Sequence, residues 1–333
     1  MGPKNEKKYA TMKEAAIKDG SSFIQVTLPK SQVTGELHYK LQGNANSKKL
    51  IVFIHGIGGG MVHFREQIST FGSLSSGFRV LALDFFGRGL SLPPTKTGSI
   101  CSNVTLYDTL MHIEQIHELL NALNLLDFAN ITLCGFSMGG AVCMRFLDEY
   151  RLANIQNVVL CSPAGMLDAI PIIKCLQCCC CNCICPFGLN CLTSCLGTIS
   201  KPQENDDRKA FFMSDTPLVD EMVRGTAEAY EVNDLQTAVF KSAARVPELS
   251  SSESIVRRVL KEQRHIRFLF IWAQNDMYVP IQPSMERYKQ ACIQERGEEV
   301  DCGYRIEVID QCGHCSMLEA TVKVNELMIE YLS

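Results

Sequence analysis

Runs in which apolar residues predominate recur along the chain. They lie at 50–54, 80–83, 131–134, 158–160, 266–271 and 304–309. Runs of this length without regular polar alternation are typical of strands that are covered on both faces of a sheet. Before them, residues 23–28 and 36–41 alternate apolar and polar positions, and this alternation predicts an antiparallel hairpin at one edge of the sheet.

Segments with helical spacing separate these runs. From Thr105 to Leu123 the apolar residues recur about every 3.6 positions, and residues 138–149 and 315–332 also have helical spacing. Strands that alternate with helices over this length predict an α/β fold with a doubly wound, mostly parallel sheet. Ligands of such sheets bind beyond the carboxyl ends of the strands. The residues just after each apolar run are therefore the first candidates for function.

The alternation stops between residues 163 and 257, where no run predicts a buried strand. We therefore expect residues 163–257 to form an inserted helical, cysteine-rich cap. Residues 21–162 and 258–333 would then form the core. Residues 1–20 are polar, and we expect them to be loosely ordered or to form a short helix.

Composition narrows the class of protein. The 333 residues carry a net charge of −4 and no strong basic stripe, so we expect no nucleic-acid partner. The N-terminus has no apolar stretch suited to a secretory signal. We therefore expect a cytoplasmic protein whose 17 cysteines are reduced thiols. No sequence pattern calls for a cofactor or a metal ion.

A Gly-x-Ser-x-Gly motif follows the run 131–134 and reads Gly135-Phe136-Ser137-Met138-Gly139. A strand that turns sharply into a helix holds the serine hydroxyl exposed at the end of the strand. Glycine on each side of the serine lets the two backbones pass closely. A motif this short also occurs by chance, so the assignment of Ser137 as a nucleophile depends on its partners.

A serine nucleophile needs a base, and the base needs an acid that orients it. Asp276 follows the run 266–271, and His314 follows the run 304–309. The chain order Ser137, Asp276, His314 is the order expected for this strand–turn–helix arrangement, so we predict that these residues form a catalytic triad. Five other histidines are expected on the surface or on helix faces, namely His38, His63, His112, His117 and His265.

The glycine-rich loop 55–60 follows the run 50–54. Backbone N–H groups can stabilise the oxyanion of a tetrahedral intermediate, and we predict that those of Ile57 and Met138 do so. A phosphate-binding loop is the alternative, but the Lys-Ser/Thr pair of a Walker-A motif is absent and Gly-x-Gly-x-x-Gly is not matched. Three residues are predicted to support the loop, namely His55, Gly56 and Gly58.

These motifs together resemble those of the α/β-hydrolase fold. The residues that carry the resemblance are His55-Gly56, residues 84–91, residues 135–139, Asp276 with Val279-Pro280, and Gly313-His314. The resemblance covers about residues 35–162 and 264–332. Within that superfamily the chain is similar to serine carboxylesterases and monoacylglycerol-lipase-like enzymes, because Ser137 stands where epoxide hydrolases and haloalkane dehalogenases have aspartate. The resemblance also implies that Asp84 has a structural role.

The resemblance implies hydrolysis of a carboxylic ester, with a small-molecule ester or lipid as substrate. A monoacylglycerol is one such lipid. Three alternatives remain open at this stage. They are carbon–carbon bond hydrolysis, acyl transfer to an alcohol, and ligand sensing with slow turnover.

Nine cysteines lie between residues 175 and 195. Cys175 and Cys178 fit a C-x-x-C metal motif, but four consecutive cysteines do not resemble a defined zinc site. Two interpretations remain, an apolar cap with incidental thiols and a segment that contacts a membrane peripherally and is S-acylated. The second predicts acylation within the set Cys178, Cys179, Cys180, Cys181, Cys183 and Cys185.

Overall fold

A single mixed sheet organises the protein. The computed structural model describes residues 3–97, 106–167, 213, 216–233, 238–239, 241–242, 252–298 and 302–333. Within these residues the strands are β1 (Ser21–Leu28), β2 (Val33–Gly43), β3 (Lys49–Ile54), β4 (Arg79–Leu83), β5 (Thr95–Lys96), β6 (Asn130–Phe136), β7 (Ile155–Cys161), β8 (Arg267–Ala273) and β9 (Tyr304–Ile309). Their spatial order is β1-β2-β4-β3-β6-β7-β8-β9, with β5 paired to β2.

The pairing follows the two kinds of hydrophobic pattern. The alternating segments form the antiparallel hairpin β1–β2, in which Ser21 lies opposite Lys40 and Leu28 opposite Val33. The predominantly apolar runs form the parallel part of the sheet, from β4 and β3 through β6, β7 and β8 to β9. Both predictions are confirmed, and the fold is the predicted α/β class with a mostly parallel sheet.

The strand β3 shows why the run 50–54 is apolar at every position. Leu50, Val52 and Ile54 face one hydrophobic core, and Ile51 and Phe53 face a second core on the other side of the sheet. All five side chains are fully buried. Successive side chains of a strand point to opposite faces, so helices that cover both faces exclude polar residues from both sets of positions.

Helices cover the two faces of the sheet. Among the described residues they are α1 (Pro3–Lys18), α2 (Arg65–Phe71), α3 (Thr109–Ala122), α4 (Met138–Tyr150), α5 (Pro217–Val232), α6 (Glu253–Glu262), α7 (Glu286–Arg296), α8 (Ser316–Glu319) and α9 (Thr321–Leu332). The polar N-terminal segment is thus largely helical. In the described part of the chain, no helix is both long and apolar enough to cross a lipid bilayer.

Two helices differ from the sequence prediction. The helix predicted from Thr105 begins at Thr109, because the Asp108 side chain accepts a hydrogen bond from the Met111 backbone N–H at 2.8 Å and caps the helix there. The helix predicted over 315–332 is divided into α8 and α9. Ala320 interrupts it with φ of −124° and ψ of 42°, outside the helical region.

Part of the predicted cap lies in the described residues. Helix α5 contacts α1, and helix α6 spans the boundary predicted between residues 257 and 258 and packs against α4 and α7. The cysteine-rich segment 175–195 lies outside the described residues, so its S-acylation stays a prediction. The described cysteines are free thiols, namely Cys134, Cys143, Cys161, Cys292, Cys302, Cys312 and Cys315.

A buried arginine joins α7 to the neighbouring elements. The Arg296 guanidinium donates hydrogen bonds to the carbonyl oxygens of Leu260 at 3.0 Å, Ile266 at 2.7 Å and Gln263 at 2.9 Å. It also lies 4.8 Å from the centroid of the Phe268 ring. These carbonyl groups lie in the last turn of α6 and in the segment between α6 and β8. Because Arg296 donates to all three, it fixes the path of the chain into β8.

Replacing this arginine should destabilise the fold. Arg296→Met keeps the aliphatic bulk but leaves three carbonyl groups without their donor, and we expect the free energy of unfolding to fall by about 3 kcal/mol. Urea denaturation followed by circular dichroism measures the change. The control is Arg264→Met, which removes an exposed arginine with one contact to the Glu295 carbonyl oxygen at 2.7 Å. Equal losses in the two variants would contradict the role assigned to Arg296.

Candidate active site

Ser137 lies in the sharp turn between β6 and α4. Its φ of 52° and ψ of −118° are rarely adopted by residues other than glycine, and such a conformation costs about 1–3 kcal/mol. Backbone hydrogen bonds hold it. Ser137 N–H donates to Cys161 at 3.0 Å, and its carbonyl accepts from the N–H groups of Gly140 and Ala164, both at 2.9 Å. The neighbouring strand β7 therefore maintains the strained turn.

Glycines allow this turn to pack against the loop after β3. A Cβ atom on Gly139 would lie 2.1 Å from the Ile54 carbonyl oxygen, and one on Gly135 would lie 2.6 Å from the Gly139 carbonyl oxygen. Neither distance is sterically possible. A Cβ atom on Gly56 would lie 3.3 Å from the Ser137 Cβ. The loop predicted to hold the oxyanion donor therefore lies directly beside Ser137.

Asp276 and His314 form a buried hydrogen-bonded pair. His314 Nδ1 donates to Asp276 Oδ2 at 2.7 Å, and the side chains of His314 and Asp276 are respectively 3% and 0% exposed. The other carboxylate oxygen, Oδ1, accepts from the backbone N–H groups of Tyr278 at 2.9 Å and Val279 at 2.8 Å. Because Nδ1 keeps its proton and donates it in a hydrogen bond to the carboxylate, the lone pair that a general base needs lies on Nε2.

Aromatic contacts connect this pair to Ser137. The His314 ring lies 4.7 Å from the Phe136 ring and 5.5 Å from the Tyr278 ring, measured between centroids. Phe136 directly precedes Ser137, so the serine and the histidine belong to one packed group. The structure thus brings the three residues predicted as a triad to the carboxyl ends of β6, β8 and β9.

His55 orients the peptide that carries the Ile57 N–H. Its Nδ1 donates to the Gly56 carbonyl oxygen at 2.7 Å, and its Nε2 accepts from the Phe85 N–H at 3.0 Å. Acceptance at Nε2 requires a neutral ring, and burial lowers the pKa of His55 to about 4. The Gly56 carbonyl and the Ile57 N–H belong to the same planar peptide. Fixing the carbonyl therefore fixes the direction of the N–H.

Asp84 connects three backbone segments, consistent with the structural role that the resemblance implied. Its carboxylate accepts from the N–H groups of Met61 at 2.7 Å and Leu90 at 3.0 Å, and from His38 Nδ1 at 2.6 Å. Burial alone would raise the pKa of Asp84, but His38 and these hydrogen bonds outweigh it and lower the pKa. Asp84 therefore anchors both the glycine loop and the loop 84–91.

Three of the other histidines are buried, namely His38, His63 and His112, and each is at most 6% exposed. His112 lies on helix α3, as expected, whereas His38 lies on strand β2 and His63 packs against Gly59. The prediction failed for His38 and His63 because no local spacing marks a histidine that packs under segments from distant parts of the chain. His63 contacts the Phe136 ring edge-on at 5.0 Å. Burial, followed by the nearby His55 and His314, lowers the pKa of His63 to about 3.

A cavity of about 150 Å³ lies on one side of the glycine loop. Gly58 to Gly60, Asp84, Met12 and Ala229 contribute to its mostly apolar wall. Ser137 and His314 are not among the residues that line it, so this cavity is not the space above the proposed nucleophile. Among the described residues, no group of histidine, cysteine and carboxylate side chains is arranged to hold a metal ion.

Comparison with known proteins identifies the fold. The model of the alpha/beta hydrolase fold family matches residues 49–177. A thermophilic esterase from Thermogutta terrifontis has a similar structure, with a TM-score of 0.65 and 16% identity over 93% of this chain and 98% of that chain. The chain therefore has the α/β-hydrolase fold.

Two curated relatives are similar over a shorter segment. A protein from Synechocystis sp. whose name includes "non-heme chloroperoxidase" is 31% identical over 113 residues, which are 34% of this chain and 36% of that protein. A protein from Oryza sativa subsp. japonica whose name includes "1-acylglycerol-3-phosphate O-acyltransferase" is 32% identical over 115 residues, which are 34% of this chain and 25% of that protein. The chain therefore matches only about a third or a quarter of the length of these relatives.

The buried neutral His63 should make stability depend on pH. In the unfolded chain His63 takes up a proton below about pH 6.5, whereas in the fold it does so only near pH 3. The unfolded state therefore binds more protons within this window, and stability falls as the pH is lowered through it. Phenylalanine takes up no proton in either state. In His63→Phe the slope of the free energy of unfolding against pH should therefore become shallower by about 1.4 kcal/mol per pH unit.

Urea unfolding at pH values between 4.5 and 7.5 measures this slope. Phenylalanine is a suitable replacement, because His63 Nδ1 has no hydrogen-bond partner among the described residues. His265→Gln, which replaces an exposed histidine, is the control. An unchanged slope in His63→Phe would mean that His63 is charged in the fold.

Proposed function

We propose that the protein is a serine hydrolase that cleaves carboxylic esters through an acyl-enzyme intermediate. The observation that carries this proposal is the buried hydrogen bond between His314 Nδ1 and Asp276 Oδ2 beside the strained Ser137 turn. The pair orients a neutral imidazole whose second nitrogen can accept a proton. The adjacent turn supplies a hydroxyl that becomes nucleophilic when it loses that proton.

Acylation follows from this arrangement. Ser137 Oγ attacks the ester carbonyl carbon while His314 Nε2 takes the hydroxyl proton, and Asp276 stabilises the resulting imidazolium. The carbonyl oxygen becomes an oxyanion, to which the N–H groups of Ile57 and Met138 donate. When the carbon–oxygen bond of the leaving group breaks, His314 returns the proton to the departing alkoxide. The products of this half-reaction are a free alcohol and acylated Ser137.

Deacylation repeats the same steps with water. His314 Nε2 takes a proton from a water molecule as the water oxygen attacks the acyl carbon. The second oxyanion then collapses and breaks the bond to Ser137 Oγ, to which His314 returns the proton, so that a carboxylic acid leaves and the Ser137 hydroxyl is restored. The esterase with a similar structure shares the fold and lends support to ester chemistry. We propose esters with apolar acyl groups, lipid esters such as monoacylglycerols among them, as the substrate class.

Transfer of the acyl group to an alcohol is the second candidate. The name of the relative from Oryza sativa refers to an O-acyltransferase, and the same acyl-enzyme reacts with either acceptor. Adding glycerol or a lysophospholipid to the assay distinguishes the two. Transfer yields a new ester in proportion to the added alcohol, whereas hydrolysis yields the free acid and no new ester.

Ser137→Ala tests the nucleophile. We expect loss of fluorophosphonate labelling and a fall in kcat of at least about 10³-fold on a panel of p-nitrophenyl esters from acetate to palmitate. Ser73→Ala removes a serine hydroxyl whose contacts are local to the end of α2 and should leave both readouts unchanged. Labelling of Ser137→Ala at the wild-type level would refute the proposal. A slow ligand sensor would show labelling but negligible turnover on every ester.

Asp276→Asn tests the orienting acid separately. An amide can donate to His314 Nδ1 and so favour the wrong tautomer, and we expect kcat to fall by about 10⁴-fold with little change in KM. A cooperative thermal unfolding transition shows that the variant is folded. The control is Asp310→Asn, an exposed carboxylate four residues before His314. If Asp276→Asn retained more than about a tenth of the wild-type kcat, another residue would have to orient His314.

A further inference from the structure

Arg88 is fully buried between the oxyanion loop and part of the predicted cap. Its Nε donates to the Ile57 carbonyl oxygen at 2.9 Å. On the other side, Nη2 donates to the Ala238 carbonyl oxygen at 3.3 Å and to Ser242 Oγ at 2.5 Å. One charged group thus joins a loop of the core to two helical residues of the insertion.

The contact to Ile57 bears on the predicted oxyanion donor. His55 holds the Gly56 carbonyl, and so fixes the peptide before Ile57, while Arg88 holds the Ile57 carbonyl and fixes the peptide after it. Each peptide is planar, so the backbone around Ile57 can rotate only if one of these two hydrogen bonds breaks. The orientation of the Ile57 N–H therefore depends on both His55 and Arg88.

The cap residues are packed closely against the loop that carries Arg88. Gly87 has a φ of 75°, and a Cβ atom there would lie 2.8 Å from both the Ala238 Cβ and the Tyr107 hydroxyl oxygen. Ser242 Oγ also donates to the Tyr107 carbonyl oxygen at 3.3 Å. Ala238 and Ser242 are themselves fully buried. Nothing larger than glycine fits at this junction, so displacement of these cap residues would change the surroundings of Arg88 directly.

We propose that Arg88 is a positioning residue that makes the oxyanion hole conditional on docking of Ala238 and Ser242. This inference rests on the proposed function, because it assigns a role in stabilising the intermediate formed on Ser137. When the two cap residues are docked, Arg88 Nε holds the Ile57 carbonyl and the Ile57 N–H faces the site. When they separate, the buried guanidinium loses two hydrogen-bond acceptors and turns towards other acceptors. The hydrogen bond to the Ile57 carbonyl oxygen then breaks, and the Ile57 peptide is free to rotate.

Ser242→Ala removes the side-chain contact of Arg88 to the cap, leaves the one to the Ala238 carbonyl oxygen, and does not alter Arg88 or the loop. Because the oxyanion forms only during reaction, we expect kcat to fall about 10-fold with KM nearly unchanged. Ser242→Thr keeps the hydroxyl and should restore kcat to within about twofold of wild type. Ser31→Ala is the matched control, since it removes a buried serine hydroxyl that bonds to the charged Glu114 side chain far from Ser137.

Arg88→Met tests the arginine itself and should lower kcat by about 10²-fold, the effect of losing an oxyanion donor. Arg296→Met, the buried arginine described above, controls for lost stability and should not lower kcat of the folded enzyme. An alkyl trifluoromethyl ketone, which forms a tetrahedral adduct with a serine nucleophile, should bind Arg88→Met more weakly by the same factor as kcat/KM falls.

Amide hydrogen exchange of residues 56–60 gives a readout that does not depend on activity. We expect faster exchange in Ser242→Ala than in wild type or Ser31→Ala. If hydrolysis depends on Ser137 but Ser242→Ala keeps wild-type kcat and exchange, the inference is wrong and the proposed function stands. If Ser137→Ala retains hydrolysis, the proposed function is wrong. Faster exchange in Ser242→Ala would then show only that Ser242 restrains the backbone of residues 56–60.

Discussion

The close crossing of two backbones at the centre of the sheet is the constraint on which the site depends. The loop after β3 and the turn after β6 approach so closely that a Cβ atom on Gly139 would overlap the Ile54 carbonyl oxygen. This contact exists because β3 and β6 are adjacent parallel strands that end at the same level. It brings Ile57 beside Ser137, and it holds the serine in a conformation that an isolated peptide would avoid.

Around this crossing, side chains from distant segments hold the backbone in place. His55, Asp84 and Arg88 each bond to main-chain groups of the loops 55–61 and 84–91. The groups are buried, so water cannot substitute for a lost partner and each hydrogen bond is worth more than it would be on the surface. The loops are thereby preorganised, as expected of a site that stabilises charge developing during a reaction.

Local patterns predicted most of the fold because they report burial directly. A run such as Leu50–Ile54 is apolar throughout only when both faces of a strand are covered, and the alternation in β1 and β2 marks an edge hairpin. The same logic failed for His38 and His63, whose burial comes from segments that are remote in sequence. It also missed the interruption at Ala320, where tertiary packing overrides a continuous helical spacing.

The sequence alone determined the class of fold, the order of the strands along the chain, and the candidate residues Ser137, Asp276 and His314, because spacing and chain order are local properties of the chain. Only the tertiary structure decided that the imidazole of His314 meets the carboxylate of Asp276, and that Arg88 lies between Ile57 and Ser242. Those contacts join residues between 31 and 154 positions apart. Hydrogen bonds have lengths and directions that no one-dimensional pattern encodes, so they emerge only when the strands are assembled into the sheet.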